Sequence, residues 1–249
     1  MSGHNRWSKI KRHKAVAGAA KGRLFSKLIK ELTVSARLGG GDPAGNPRLR
    51  TALAAARVAN MPRDTIERAI KKGTGELEGA HYEEITYEGY GPGGVAVLVE
   101  CLTDNSNRTA GDVRNAFAKH GGNLAAPGAV KFVFQHRGVI EVKPGPTEDR
   151  VLEVALDAGA DDVVPQGEDG FEVRTEPSQL HAVVEKLEAA KLELGEQKWV
   201  WLPSTLVKVE GEQAKRLLKL IDVLEENDDV QHVFANFEVD DTELAAIAG

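Results

Sequence analysis

The residues most able to do chemistry stand at the front of the chain. In His4-Asn5-Arg6-Trp7-Ser8-Lys9-Ile10-Lys11-Arg12-His13-Lys14, five Lys/Arg surround one tryptophan. Lysine and arginine neutralise phosphates and release counterions, and arginine and tryptophan stack on bases. About six engaged phosphates would make log K fall with log salt at a slope near −5. The series continues at Lys21 and along Arg23, Lys27, Lys30 and Arg37. The candidate nucleic-acid-binding residues are therefore Arg6, Trp7, Lys9, Lys11, Arg12, His13, Lys14, Lys21, Arg23, Lys27, Lys30 and Arg37. Such residues position a polyanion and do not read its sequence; no helix-turn-helix or zinc-finger pattern accompanies them.

Other motifs carry less. Gly89, Gly91 and Gly94 satisfy G-x-G-x-x-G, but strand-like sequence flanks them on both sides, and Pro92 lacks an amide that could face phosphate. A hairpin turn is expected. Gly39-Gly40-Gly41-Asp42-Pro43 lacks the Gly-Lys-Ser/Thr of a P-loop and reads as a helix stop. Cys101, within an apolar strand, is expected to be inert core. The seven histidines form no H-x-x-x-H or H-E-x-x-H pattern. Asp161-Asp162, Asp228-Asp229 and Asp240-Asp241 read as solvated turn residues. Thr103-Asp104-Asn105-Ser106-Asn107-Arg108-Thr109, the most polar cluster, reads as a helix cap or a small anion site at a helix N-terminus. Phe132 and Phe134 alternate onto one strand face, and Gln135 stands where an RNP1 aromatic would be needed, so core packing is expected. Trp199 and Trp201 share a strand face, as core or a domain seam. No enzyme, cofactor, metal or small-molecule substrate is expected.

Charge placement supports a polyanionic partner. The 249 residues have net charge −6. Residues 1–72 carry 17 Lys+Arg against Glu31, Asp42, Asp64 and Glu67, a net +13, which leaves −19 for the remainder. The first 30 residues hold nine basic residues and no acid. A basic end on an acidic body attracts a polyanion and orients its docking. The longest apolar run, Val95–Val99, is far too short to cross a bilayer, so no membrane partner is expected. One cysteine excludes an intramolecular disulfide framework and fits a reducing cytoplasm. Residues 1–22 lack the apolar core of a secretory signal.

The positioning elements follow from period and punctuation. Residues 1–22 read as an arm. Residues 23–38 are an amphipathic helix with Leu24, Phe25, Leu28, Leu32 and Ala36 on one face and Arg23, Lys27, Lys30 and Arg37 on the other. Asn46-Pro47 starts a second helix at 47–59, and Pro62 a third at 62–72 that Gly73 is expected to stop. The core of this unit is thin and is expected to lean on the rest. From Tyr82 the period becomes alternating. Strands are expected at 83–88, 94–102 and 130–135, with a helix at 107–119. The stretch 138–202 reads as βαββαβ, the ferredoxin-like order. A strand at 205–209, a helix at 211–226 and a strand at 230–238 follow, and join 94–135 in a second ferredoxin-like unit. The tail 240–249 frays or forms a short helix. The expected fold is α+β multidomain: an N-terminal three-helix domain (1–78) and two ferredoxin-like α+β domains, an outer one (79–135 with 205–240) and one inserted in it (136–204).

The stretches GHNRWSKIKRHK, LFSKLIKEL, LGGGDPAGNPRLR, NMPRDTIERAIKKG, YEGYGPGGVAVLVECLTDNSNRT, VRNAFAKHGGNL and RLLKLIDVLEENDDVQHV resemble motifs of the YebC/PmpR family, over residues 2 to about 239. The resemblance implies a helical N-terminal domain and two α+β domains, one inserted in the other. It implies a DNA-binding transcriptional regulator in the cytoplasm, with the basic opening and first helix as the nucleic-acid surface. The family also includes the mitochondrial translational activator of cytochrome c oxidase. A translation factor that lays the same arm on ribosomal RNA is thus the alternative. The family pattern carries no catalytic residues onto this chain. The sequence departs from it at Lys11-Arg12-His13-Lys14, where Lys-His-Arg-Lys is usual, and at Trp199 and Trp201, where smaller residues are common.

Overall fold

The computed structural model describes residues 17–248. In chain order its elements are α1 (Ala17–Gly39), α2 (Pro47–Val58), α3 (Arg63–Thr74), β1 (Glu83–Tyr90), β2 (Ala96–Thr103), α4 (Ser106–Lys119), β3 (Asn123–Leu124), β4 (Phe134–Val142), α5 (Glu148–Ala158), β5 (Asp162–Pro165), β6 (Phe171–Thr175), α6 (Leu180–Ala189), β7 (Leu194–Pro203), β8 (Val207–Lys208), α7 (Gly211–Glu226), β9 (Val230–Ala235), β10 (Phe237–Glu238) and α8 (Asp241–Ala248). This is an α+β multidomain fold. It forms two compact units: Gln135–Leu202, and the chain on either side of it.

In the first unit α1, α2 and α3 enclose a small core of Leu28, Leu32, Leu49, Leu53, Met61 and Ile66. Asn46 is buried at the start of α2. Its Oδ1 accepts from the Leu49 amide at 3.1 Å, and its Nδ2 donates to the carbonyls of Ser35 and Gly40, both at 2.8 Å. One side chain thus starts α2 and holds the end of α1, with Pro47 in the first helical position. Asn46→Ala removes the cap and strands two carbonyls, an expected loss of about 2 kcal/mol in urea unfolding. A change below roughly 0.5 kcal/mol would show that the turn is held by other means.

Two sequence expectations fail here for steric reasons. Gly73 does not stop α3, which runs to Thr74 and ends on Gly75 in the left-handed region (φ 84°). Gly73 instead lies at the crossing with α1, where an added Cβ would stand 2.3 Å from the Thr33 carbonyl oxygen and 2.8 Å from the Ala36 Cβ. Leu24, expected in the core, is 46% exposed. The 23 residues of α1 span about 35 Å and the 12 of α2 or α3 about 18 Å, so α1 outreaches the helices beside it. Leu32 to Ala36 are all buried in succession, which one packed face cannot achieve. The second cover for α1 comes from the α+β part of the same unit.

That part is a sheet in the order β3-β1-β2-β9, with antiparallel neighbours. Val97, Val99, Phe117, Leu217, Ile221 and Val233 bring sheet, α4 and α7 into one core. The glycine motif closes the β1–β2 hairpin, as expected. Gly89 lies against the Phe117 ring and Gly91 against Leu217, where a Cβ would stand 2.6 and 2.8 Å from their nearest carbons. These glycines let helices approach backbone; they do not cradle phosphate.

The expected strand at 130–135 does not form. Lys131–Val133 is one 3-10 turn, and Phe134 begins β4. In the ferredoxin-like order β8 would lie between β2 and β3; β1 takes that place and β8 pairs in parallel with β10. A short hairpin brings β1 to β2 at low closure entropy, so the slot is filled locally. Asn236 makes the switch between sheets: its Oδ1 accepts from the Ala96 amide at 2.7 Å and its Nδ2 donates to the Thr205 carbonyl at 3.2 Å. The tail forms α8, and Leu244 inserts into the core.

The second unit has the sheet order β5-β6-β4-β7 with α5 and α6 over a core that includes Ile140, Val151, Val173, Val183 and Leu187. This is the ferredoxin-like arrangement read from βαββαβ. Trp199 packs against this core and donates Nε1–H to the Pro177 carbonyl at 3.1 Å; Trp201 stacks on His136 with centroids 4.7 Å apart.

Candidate nucleic-acid interface

Arg6, Trp7, Lys9, Lys11, Arg12, His13 and Lys14 lie outside the described residues. The other five candidates all lie on α1, where the structure separates them into two groups. Lys21 is exposed, its ammonium 5.5 Å from the Phe25 ring centroid, and Arg23 is half-buried. Lys27, Lys30 and Arg37 are engaged inside the chain. Lys27 Nζ donates to the Glu225 carbonyl at 2.7 Å. Lys30 Nζ donates to the Asp228 carbonyl at 2.9 Å and to Asp229 Oδ1 at 2.6 Å, and sits 5.7 Å from the Tyr82 ring centroid. Arg37 Nη2 donates to the Tyr82 carbonyl at 2.7 Å. The basic face expected along the whole helix is thus outward-facing near its start and a clamp further on.

The clamp has a physical logic. The last turn of α7 has no basic side chain of its own. Its C-terminal carbonyls carry partial negative charge, and Lys27 supplies the missing cation from α1. Lys30 does the same for the turn that follows and pairs with Asp229, which is only 4% exposed. Asp229 Oδ2 also accepts from Arg108 Nη2 at 2.7 Å, Thr109 Oγ1 at 2.8 Å and Thr103 Oγ1 at 3.2 Å. Burial alone would raise the Asp229 pKa. Its bonds to Lys30, Arg108 and Thr109 outweigh that and hold it at about 2.

The polar cluster 103–109 therefore supplies partners to Asp229. Asn105 caps α4, its Oδ1 accepting from the Arg108 amide at 3.1 Å, which is the capping role read from the sequence. Asp229 itself, expected as a solvated turn residue, is a buried junction of α1, β2, α4 and β9. The available signal was a doubled acid directly before an apolar strand, where its side chain has to enter the core or turn away. A second junction joins α1, α2 and β1. The Arg48 fork grips Glu31 at 2.7 and 3.0 Å and reaches Glu84 at 2.5 Å. Burial would raise the Glu31 pKa, but the Arg48 guanidinium holds it below the ordinary carboxylate value. Cys101 is buried, and desolvation, reinforced by nearby Asp229, pushes its thiol up to about 12. It is protonated and unreactive at neutral pH.

Comparison with known proteins places these features in context. Residues 5–76 match a family model described as the TACO1/YebC protein N-terminal domain, and residues 82–237 match one described as the TACO1/YebC second and third domain. The chain is 63% identical over 247 residues to a protein of Myxococcus xanthus, covering 99% of each, and 56% identical over 247 residues to one of Acidithiobacillus ferrooxidans, covering 99% and 98%. Both carry the name "Probable transcriptional regulatory protein". The crystal structure of a conserved hypothetical protein from Aquifex aeolicus is similar at a TM-score of 0.81 and 50% identity, over 88% of this chain and 91% of that one.

Proposed function

Because this chain belongs to the TACO1/YebC family, whose relatives are named as regulators, we propose that it regulates gene expression by gripping DNA through its basic arm, without catalysis. The single observation that carries this reading is the charge of the first 30 residues, nine basic and none acidic, of which only Lys27 and Lys30 serve as the anchors described above. A run of that kind concentrates positive potential where nothing inside the segment can neutralise it. The proposed surface is Arg6, Trp7, Lys9, Lys11, Arg12, His13 and Lys14, extended by Lys21 and Arg23 at the outer end of α1. Lys27, Lys30 and Arg37 act behind it as anchors that tie α1 to the α+β part of its unit. The net −19 of residues 73–249 repels the same polyanion and leaves the arm as the side of approach.

The test is equilibrium binding of the full chain to a labelled DNA duplex across a salt series. A slope of log K against log salt near −5 is expected for about six phosphates. Combining Arg6→Gln, Lys9→Gln, Lys11→Gln, Arg12→Gln and Lys14→Gln is expected to flatten the slope to about −1 and leave the thermal midpoint almost unchanged. An unaltered slope would mean that the arm does not carry the phosphate contacts, and a midpoint that collapses would mean that it is part of the folded body. Tighter binding to structured ribosomal RNA than to any duplex would move the same surface to translation.

A further inference from the structure

The four residues between α2 and α3 form a tight turn held by its own backbone. The Met61 amide donates to the Ala56 carbonyl at 2.9 Å and the Asn60 amide to the Arg57 carbonyl at 3.0 Å, the two bonds of a Schellman ending. That ending needs a left-handed residue, and Asn60 supplies it at φ 54°. Met61 then turns inward and is buried. The Thr65 and Ile66 amides donate to the Pro62 carbonyl at 3.0 and 3.2 Å and start α3. Both helices pack on α1: Leu49, Leu53 and Ala56 of α2 and Ile66 and Ala69 of α3 share a core with Leu28 and Leu32. Two helices joined by a short turn and braced by a third are the parts of a helix-turn-helix. The sequence hides the motif, because Asn60 stands where its turn often carries glycine.

In such a unit the second helix does the reading, and its outer face shows what it can read. Ile66, Ala69, Ile70 and Gly73 face α1 and the core. At 100° per residue Asp64, Arg68 and Lys71 lie opposite them, with Glu67 and Lys72 on the flanks, and all five are exposed. Arg63 is paired with Glu67 at 2.8 Å, whereas Arg68, Lys71 and Lys72 have no ion-pair partner among the described residues. Residues 47–74 carry a net +5. The dimensions and the charges suit one occupant. A helix with its side chains is about 10–12 Å across, and the major groove of B-form DNA is about 12 Å wide. An arginine fork donates to guanine O6 and N7 there, and a carboxylate accepts from the cytosine amino group. The major groove of double-stranded RNA is too deep and narrow to admit the helix.

The geometry points to α3 as a reading helix: it enters the major groove of a DNA duplex with Arg68 on a guanine edge and Lys71 and Lys72 on the flanking phosphates. The inference rests on the reading of this chain as a DNA binder and adds to it the residue that chooses a base. The location agrees with the arm. A Cβ on Gly41, just past the end of α1, would stand 3.0 Å from Thr74 at the end of α3, and the Thr33 hydroxyl lies 3.2 Å from the Ala69 carbonyl. The two helices therefore run in the same direction, and α3 begins at the end of the unit where α1 begins and the basic arm is attached. Arm and reading helix can engage one duplex together.

The test lets the full chain select from a pool of DNA duplexes with a randomised central segment. The wild type is expected to enrich a short motif that contains a guanine. Replacing that guanine by 7-deazaguanine removes the major-groove N7 acceptor and keeps the charge and the base pairing; it is expected to weaken binding about tenfold, within the range for one fork contact. Arg68→Ala, at an exposed position and with an unchanged thermal midpoint, is expected to bind the two duplexes equally. Lys71→Gln with Lys72→Gln is expected to keep the motif and to flatten the salt slope by about 1.8, two phosphates' worth on a duplex. A wild type that enriches no motif would overturn the proposal. So would equal binding of the 7-deazaguanine duplex by the wild type, or a tenfold preference that survives Arg68→Ala. The arm reading is judged separately, by the salt slope of the five-glutamine variant: a slope that depends on the arm, without an enriched motif, describes a chain that grips DNA and does not read it.

Discussion

Asp229→Ala is expected to cost about 4 kcal/mol of unfolding free energy, the largest loss of any single substitution considered for this chain. The carboxylate is buried and collects Lys30, Arg108, Thr103 and Thr109, while its own backbone carbonyl accepts from the Leu102 amide at 2.8 Å. Removing it leaves an ammonium, whose side chain is only 12% exposed, facing helix carbonyls with its charge partner gone. Breaking a buried pair from one side costs more than the pair contributes, because the remaining charge keeps its desolvation penalty. Lys30→Ala leaves Asp229 with Arg108 and two hydroxyls and is expected to cost less, about 2 kcal/mol. Urea unfolding of the two single variants and the double variant gives the coupling directly. A loss under about 1 kcal/mol for Asp229→Ala would mean that the junction is solvated in solution.

The same junction sets an acid limit. The Asp229 pKa is about 2 when folded, against an ordinary value of 3.8. The folded state holds the proton more weakly, so the unfolded state binds it first as pH falls. The contribution, about 2 kcal/mol, is therefore fully present above about pH 4 and is lost as pH drops towards 2. Asp229→Asn should lack that portion of the acid slope in urea midpoints measured from pH 4.5 to 2. A variant with the wild-type slope would assign acid sensitivity to other carboxylates.

Gly73→Ala is expected to destabilise the chain by about 3 kcal/mol, although alanine is the better helix former by about 1 kcal/mol. The steric term decides the sign. The new Cβ would stand 2.3 Å from a backbone oxygen of α1, which no rotamer change relieves. The Thr33 hydroxyl, 2.8 Å from the Ile29 carbonyl of its own helix, also lies 3.2 Å from the Ala69 carbonyl of α3, so the two helices are already in close polar contact at this crossing. Moving α1 aside would strain the bonds of Lys30 and Arg37. Gly111→Ala in α4 is the control, since nothing lies within 4 Å of its Cβ position. There propensity acts alone and a gain of about 0.5–1 kcal/mol is expected. Thermal melts of the two variants should move in opposite directions; a more stable Gly73→Ala protein would refute the close crossing.

Much of the architecture was legible because local sequence signals act over a few residues. Asn46-Pro47 began a helix, alternation from Tyr82 marked strands, and βαββαβ in the inserted unit gave a ferredoxin-like sheet. The outer unit was misread at 130–135 because apolar alternation cannot distinguish a strand from a loop that buries its two ends and turns the apolar residue between them outward. Val130 and Phe134 are buried, but Phe132 between them is exposed, because the backbone there turns around Glu88. That carboxylate sits 42 residues from the Val130 amide it accepts from, beyond the reach of any local pattern.

The charge division of the chain, the succession of its elements and its family motifs were determined by the sequence alone, since each depends on residue type and near-neighbour spacing. Tertiary structure alone decided which cations of α1 face outward and which are spent as anchors. Lys30 and Asp229 are 199 residues apart, and helical period places Lys27 and Lys30 on a polar face without saying what covers it. It likewise decided that Asp229 is buried, that Phe132 is exposed and that Gly73 is a contact point. Burial is a property of the assembled surfaces, and only packing brings remote segments close enough to exclude water from one side chain and leave its neighbour in it.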